Sequence, residues 1–284
     1  MLTEFQLSAS MSGQVVITSV VTRQLLDEYR LFRESFRVHH HFEPLCVVRC
    51  DAAASPFVEA MPNTIAISAL SGDDRPVSQW SNEFRTIVRH KMLAMRDTWQ
   101  LLSPSAVVFI DADVVVLRPF IDALREFSAP VTLSPHYWTY DHDRRSNAYG
   151  FYNAGLVLCR DDKFTEWWLD AFDRSPELYA DQGCLNAVPE LFAVEHFPET
   201  WNVGYWRHRN SPGDIPPIPA DAFTVHAHVF ATARPEIPYE IAQKQFVLAM
   251  IDFLKGRGTS ADRHLLDFIM AVAIRNTPDS ARHI

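Results

Sequence analysis

Five consecutive apolar residues, Ala106-Val107-Val108-Phe109-Ile110, run directly into Asp111-Ala112-Asp113, and Val114-Val115-Val116-Leu117 then resumes the apolar run. A strand without a polar side must be covered on both faces, as in a central parallel strand. That requirement predicts an α/β chain with helices on either side of a mostly parallel sheet. It also puts two carboxylates just beyond the carboxyl end of a buried strand, where open α/β sheets place their ligands.

The flanking sequence repeats this grammar. Val15 to Val20 is short, β-branched and apolar, and Gln24 to Arg37 carries Leu25, Leu26, Tyr29, Phe32 and Phe36 at helical spacing. Leu45 to Arg49 and Thr64 to Ile67 are expected as further strands, and Ser81 to Leu102 as a helix with Phe84, Ile87, Val88, Met92, Met95 and Trp99 on its apolar face. Val131 to Ser134 and Leu156 to Cys159 are strand candidates, and Lys163 to Phe172 and Asp181 to Ala187 are helix candidates. Ser211 to Ala220 is too rich in proline for regular structure, and reads as a spacer or a loop over a site. Two helices, Ile241 to Leu254 and Ala261 to Ile274, end the chain. The expected organisation is a leader over 1–14, one domain over 15–235, and a helical extension over 236–284 packed on that domain. At 284 residues the chain has the length for it.

Composition narrows the partners. A formal net charge of −9 disfavours nucleic acid and anionic membrane as general partners, while leaving room for a local basic pocket. The four cysteines, Cys46, Cys50, Cys159 and Cys184, form no CxxC pair and lie among apolar or small residues. Free thiols in a reducing cytosol are the expected reading, hence a cytoplasmic protein. The start of the chain lacks a signal-peptide pattern. No apolar run approaches the ~20 residues of a membrane span, which leaves peripheral association through a helix face. Monomer and homodimer are both compatible with the apolar C-terminal helices.

The acidic tripeptide carries the sharpest chemistry. Strand alternation would turn Asp111 and Asp113 to one side, with Ala112 leaving room for close backbone approach. Carboxylates held together repel unless a cation or proton lies between them. Divalent manganese or magnesium resolves the repulsion through oxygen ligands and can take further oxygens from a diphosphate. The bland alternative is a solvated turn, in which Asp favours the bend. His226 and His228, in Val225-His226-Ala227-His228-Val229-Phe230, are expected on one face; either can complete a manganese shell, with His226 preferred over His228, and the bland alternative is a pair of partly buried, hydrogen-bonded histidines. Asn153 can both donate and accept at sugar hydroxyls, and Gly155 lets backbone pass close to a ligand, although taken alone the segment reads as a strand entry whose turn needs Asn and Gly. Asp181 can cap a helix or, with Gln182, face a sugar ring. Arg85, Arg89 and Lys91 precede the metal strand; one is expected at the donor diphosphate, and Lys91 is favoured. Trp201 and Trp206 are candidates for stacking on a sugar or for the core.

The ordered set Phe109-Ile110-Asp111-Ala112-Asp113, Tyr152-Asn153-Ala154-Gly155, Asp181-Gln182 with Leu185-Asn186, Trp201-Asn202 and His226 resembles the GT-A glycosyltransferases. Within them it looks most like the retaining group of glycogenin-like and lipopolysaccharide galactosyl- and glucosyltransferases. The resemblance implies a Rossmann-like nucleotide-binding sheet, a metal held by Asp111, Asp113 and a late histidine, and a UDP-sugar donor. It puts Asn153 in the sugar or acceptor region, Asp181 and Gln182 beside the donor sugar, and Lys91 on the donor. Two departures stand out. Gly183 occupies a position where the group commonly has a third acid, and Ala231-Thr232-Ala233-Arg234-Pro235 follows the histidines where the group often has Gly and Lys-Pro-Trp. Arg234 is then the basic substitute for gripping the diphosphate.

The implied activity is metal-dependent transfer of a glycosyl group from a nucleotide-diphosphate sugar to an acceptor hydroxyl, with retention. The acceptor can be a glycan, glycolipid, protein or small molecule. A nucleotidyltransferase or sugar-phosphate pyrophosphorylase is the alternative enzyme, and would normally carry a Gly-rich triphosphate loop that Val20-Val21-Thr22-Arg23 does not offer. A non-catalytic α/β binding protein is the third reading.

Overall fold

The computed structural model describes residues 14–70, 82–139, 142–177, 180–208, 215–230 and 241–276. The expected leader, apart from residue 14, and Arg234 lie outside them.

The chain opens with β1 (Val15–Val21), α1 (Leu26–His40), β2 (Cys46–Asp51), a short α2 (Ser55–Glu59), β3 (Thr64–Leu70), α3 (Asn82–Leu102) and β4 (Ala106–Ile110). These give four parallel strands in the order β3-β2-β1-β4. The two-sided burial expected of β4 is present. Ala106, Val108 and Ile110 join the core that holds Tyr29, Phe32 and Phe36 of α1, while Val107 and Phe109 join the core that holds Val88, Met92 and Met95 of α3. Period-two alternation has delivered one strand to two cores.

After β5 (Val114–Val116) and β6 (Val131–Pro135) come α4 (His142–Tyr149), β7 (Tyr152–Cys159), α5 (Asp162–Arg174), α6 (Ala180–Gly183) and β8 (Val194–His196). Asp161 caps α5 through its side chain, which accepts from the Lys163 N–H. The full sheet runs β3-β2-β1-β4-β7-β6-β8, and β7 alone is antiparallel to its neighbours. β4 is therefore parallel to β1 on one side and antiparallel to β7 on the other. An all-apolar strand reports that both faces are covered and carries no mark of its neighbours' direction. The reversal has a consequence for the site: the amino end of β7 arrives at the carboxyl edge of β4.

A smaller sheet pairs β5 with β10 (Thr224–His226), and β10 with β9 (Val203–Gly204). His226 lies opposite Val114 in that ladder, so a pairing between distant segments brings the late histidines to the aspartates. Behind it α7 (Ile241–Arg257) and α8 (Ser260–Asn276) bury Phe246, Met250, Leu254, Leu265 and Ile269 in one cluster with Leu31, Val115 and Val225. All four cysteines are free thiols, three of them buried. No helix among the described residues is long and apolar enough to cross a membrane.

Candidate functional site

Asp111, Ala112 and Asp113 do not continue the strand. They form a turn, in which the Val114 N–H donates to the Asp111 carbonyl, before β5 leaves for the second sheet. The two carboxylates still share a side, because the turn rather than strand alternation directs them. His226 Nε2 lies 2.9 Å from Asp113 Oδ1 and 3.9 Å from Asp111 Oδ2. The turn is also buried where it matters: Ala112 and Asp113 are buried. A solvated bend would not bury its acid.

Asp113 is held by both histidines. His226 takes one oxygen, and His228 Nδ1 lies 2.5 Å from the other. Asp113, His226 and His228 each offer a ligand atom within 4.8 Å of the other two, a cluster capable of coordinating a divalent metal. The second histidine reaches the same acid because the chain leaves β10 after His226, with the Ala227 N–H donating to the Asp113 carbonyl. Two further bonds fix the exit. Glu28, a buried carboxylate on α1, accepts from the Val229 and Phe230 N–H groups at 3.2 and 2.7 Å.

Charge balance around these groups is tight. Burial opposes ionisation of Asp113, but the paired imidazoles outweigh it and hold its carboxyl well below the ordinary range. Burial likewise disfavours charge on His228, yet Asp113 and more distant acids push it up to about 9. Lys91 Nζ stands 3.1 Å from Asp111 and 3.4 Å from Asp181, and so bridges the two acids. Burial would lower the Lys91 ammonium, and these carboxylates raise it instead. Asp181 is raised, first by burial and then by Asp111, with Lys91 working against both. Its Oδ1 is buried and has no hydrogen-bond partner among the described residues.

The amino end of β7 supplies the other wall. Gly155 is packed so closely that a Cβ there would lie 2.6 Å from the His226 ring, 2.8 Å from Asn153 Oδ1 and 2.8 Å from Asp111 Oδ2. The absent side chain is what lets these three groups converge. Asn153 accepts from the Gly155 N–H at 2.8 Å, and its amide nitrogen lies 3.5 Å from Gln182 Oε1. Asn153, Gly155, Asp181, Gln182 and Lys91 are thus gathered around the acid–histidine cluster from β7, α6 and α3.

Other candidates lie elsewhere. Arg85 donates to the carbonyls of Phe172, Ser175 and Glu177 at the end of α5, and Arg89 forms a two-point pair with Asp173. Both tie α3 to α5, which leaves Lys91 as the basic residue of the three at the site. Trp201 is core, stacked on Phe197 and Phe223. Trp206 lies over Gly204 with its ring edge-on to His226, 4.9 Å between centroids.

Two site residues were not legible as such. Asn202 bonds to Asn153, Ser134 and His226. His136, at the end of β6, is buried, stacks on Trp138 at 4.4 Å, and is lowered by burial to about 4. The signal for Asn202 was its place beside Trp201 shortly before the histidine segment. His136 carried none, because a single histidine after a strand has no spacing to read.

No protein-family model matches the chain, and no characterised protein matches it by sequence. Similarity appears at the level of structure. A galactosyltransferase, LgtC, solved with donor and acceptor sugar analogs, superposes with a TM-score of 0.52 at 12% identity, covering 95% of this chain and 99% of that one. The glycosyltransferase GlyE of Streptococcus pneumoniae TIGR4 gives 0.54 at 12% identity, over 92% of this chain and 65% of that one. The bifunctional glycosyltransferase WbbM gives 0.53 at 14% identity, over 91% and 52%. Such identities speak to the fold alone. The chain has the GT-A arrangement, a mixed central sheet flanked by helices with C-terminal helices, and at its carboxyl edge an Asp/His/His cluster, with Asp113 and His226 buried and His228 half-buried, capable of holding a divalent metal.

Proposed function

We propose that this chain is a metal-dependent glycosyltransferase that uses a nucleotide-diphosphate sugar, with a UDP-sugar as the favoured donor, and retains the anomeric configuration. The observation that carries the reading is Asp113 clamped by two imidazoles, beside the Asp111–Lys91–Asp181 chain of charges, on the edge of a GT-A sheet. The donor set, carboxylate oxygen with imidazole nitrogen, suits Mn²⁺ better than Mg²⁺. Beside it Gly155, where no Cβ fits, lets the His226 ring, Asn153 and Asp111 close in on one another. Asp113, His226 and His228 would hold it, with Asp111 alongside. A divalent cation bound there supplies Lewis-acid neutralisation of the departing diphosphate.

The remaining work belongs to the protein. Lys91 presents an ammonium between Asp111 and Asp181, placed to share diphosphate charge without a net positive pocket. Asp181 Oδ1 is a buried acceptor ready for a sugar hydroxyl, and Asn153 and Gln182 offer amides on the same side. Arg234 is proposed as the second basic contact to the diphosphate. Retention calls for the acceptor hydroxyl to attack from the face of departure, losing its proton to a phosphate oxygen. We further assign residues 15–235 to one transferase domain, with 236–284 packed on it through the cluster that α7 and α8 share with β5 and β10. The free thiols fit a cytoplasmic setting, with any membrane contact peripheral.

A panel of nucleotide sugars with Mn²⁺, read by release of the nucleoside diphosphate, tests the reading. The expected result is release from one or a few donors, abolished by chelator, and an acceptor product of unchanged anomeric configuration by NMR. Release that persists in excess chelator would overturn the metal dependence, and an inverted product would overturn retention.

A further inference from the structure

Asn202 lies between the histidine side of the site and the sugar side. It is 1% exposed and adopts φ +49°, a left-handed conformation that Asn accepts more readily than most residues. Its own N–H donates to Thr224 Oγ1 at 2.9 Å, which locks it to β10. The amide group then makes three contacts. Nδ2 donates to Asn153 Oδ1 at 2.8 Å and to Ser134 Oγ at 3.2 Å, and Oδ1 lies 3.2 Å from His226 Nδ1.

One backbone group determines the polarity of this whole chain. The Gly155 N–H can only donate, so the Asn153 atom 2.8 Å away is the oxygen. An Asn202 atom approaches that same oxygen at 2.8 Å and must itself donate, so it is the NH₂. The Asn202 oxygen therefore faces His226, and an oxygen that only accepts requires a hydrogen on Nδ1. His226 Nε2 then faces Asp113 Oδ1, 2.9 Å away, a carboxylate that only accepts, so a cation bound there takes the place of the hydrogen on Nε2.

We infer that Asn202 is a positioning residue: through Gly155, Asn153 and its own amide it holds the proton on His226 Nδ1 and keeps Nε2 as the atom offered to a cation. A ligating histidine oriented by its second nitrogen is a stronger ligand than one free to rotate or change tautomer. The same amide fixes Asn153 with its NH₂ directed to Gln182, so one side chain sets both halves of the site. The consequence for cation binding rests on the metal reading proposed above; the hydrogen-bond polarity does not.

The first arm of the test needs no variant. In ¹⁵N-histidine-labelled wild-type protein, His226 Nδ1 is expected to carry a slowly exchanging hydrogen; an unprotonated Nδ1 overturns the inference. The second arm compares Asn202→Leu and Asn202→Asp by Mn²⁺ titration, followed by electron paramagnetic resonance, alone and with UDP. Asn202→Leu removes the acceptor and is expected to weaken Mn²⁺ binding roughly 10- to 100-fold. Asn202→Asp keeps an acceptor for Nδ1–H but loses the NH₂ that donates to Asn153 Oδ1, and is expected to lose less Mn²⁺ affinity than the leucine variant. Equal affinities for wild type and the leucine variant, or equal losses in both variants, overturn the inference. Absence of Mn²⁺ binding to wild type would instead sink the metal reading, and the ¹⁵N spectrum would still decide the proton's place.

Discussion

Replacing Lys91 by Met keeps the aliphatic stem and removes the cation that stands between Asp111 and Asp181. Its ammonium stands 3.1 and 3.4 Å from the two acids. At an effective dielectric near 20 each contact is worth about 5 kcal/mol before desolvation is counted. Most of that is offset by taking the ammonium out of water, and removing one partner of a buried pair typically costs about 3–5 kcal/mol. That is the expected loss of stability for Lys91→Met at pH 8 without metal. The loss has a sign in pH. Asp181 is already raised in the folded state, with Lys91 restraining the rise, and the variant lifts that restraint. A carboxyl raised above its unfolded value destabilises the fold increasingly as pH climbs through the folded pKa. The gap to wild type should therefore be smallest near pH 5 and widen by up to about 1.4 kcal/mol per pH unit until Asp181 is ionised. Urea unfolding at pH 5 and pH 8 in chelator, with unchanged m-values, measures it. A gap below about 1 kcal/mol at pH 8, or one that does not shrink at pH 5, would refute the bridging role given to Lys91.

Three other outcomes follow from the same geometry. Gly155→Ala forces a methyl to within 2.6–2.8 Å of His226, Asn153 and Asp111; it should cost about 1–3 kcal/mol and abolish Mn²⁺ binding, as read by unfolding and resonance titration. His228, pushed up to about 9 in the metal-free protein, must shed its proton to bind a cation, so Mn²⁺ affinity should rise from pH 7 to pH 9, and His228→Gln should flatten that dependence. Because His228 is raised on folding, its pairing with Asp113 stabilises fully below the unfolded value of about 6.5. The metal-free melting temperature should accordingly fall as pH rises from there through about 9.

The sequence was most informative where a physical demand was local. The all-apolar β4 required two covering layers, and Val107 and Val108 do enter different cores. Lys91 could be preferred over Arg85 and Arg89, although only the fold reveals that the arginines are spent on the end of α5 and on Asp173. Strand direction was not legible, because hydrophobicity is blind to it, and β7 therefore reads like a parallel strand until its pairing is seen. The acidic tripeptide looked like a strand interrupted by charge and is a turn between two sheets, since apolar residues on both sides belong to different sheets. The role of Asn202 was hidden for a related reason. Its contacts to Asn153 and Ser134 span 49 and 68 residues, and no local pattern encodes them.

The most direct test of the cation account is calorimetric titration of UDP into the metal-free protein, with and without Mn²⁺, for wild type and Asp113→Asn. The account predicts UDP binding to wild type only when Mn²⁺ is present, and none to the variant under either condition. UDP binding of equal strength in chelator, or full Mn²⁺-dependent binding by Asp113→Asn, would contradict it.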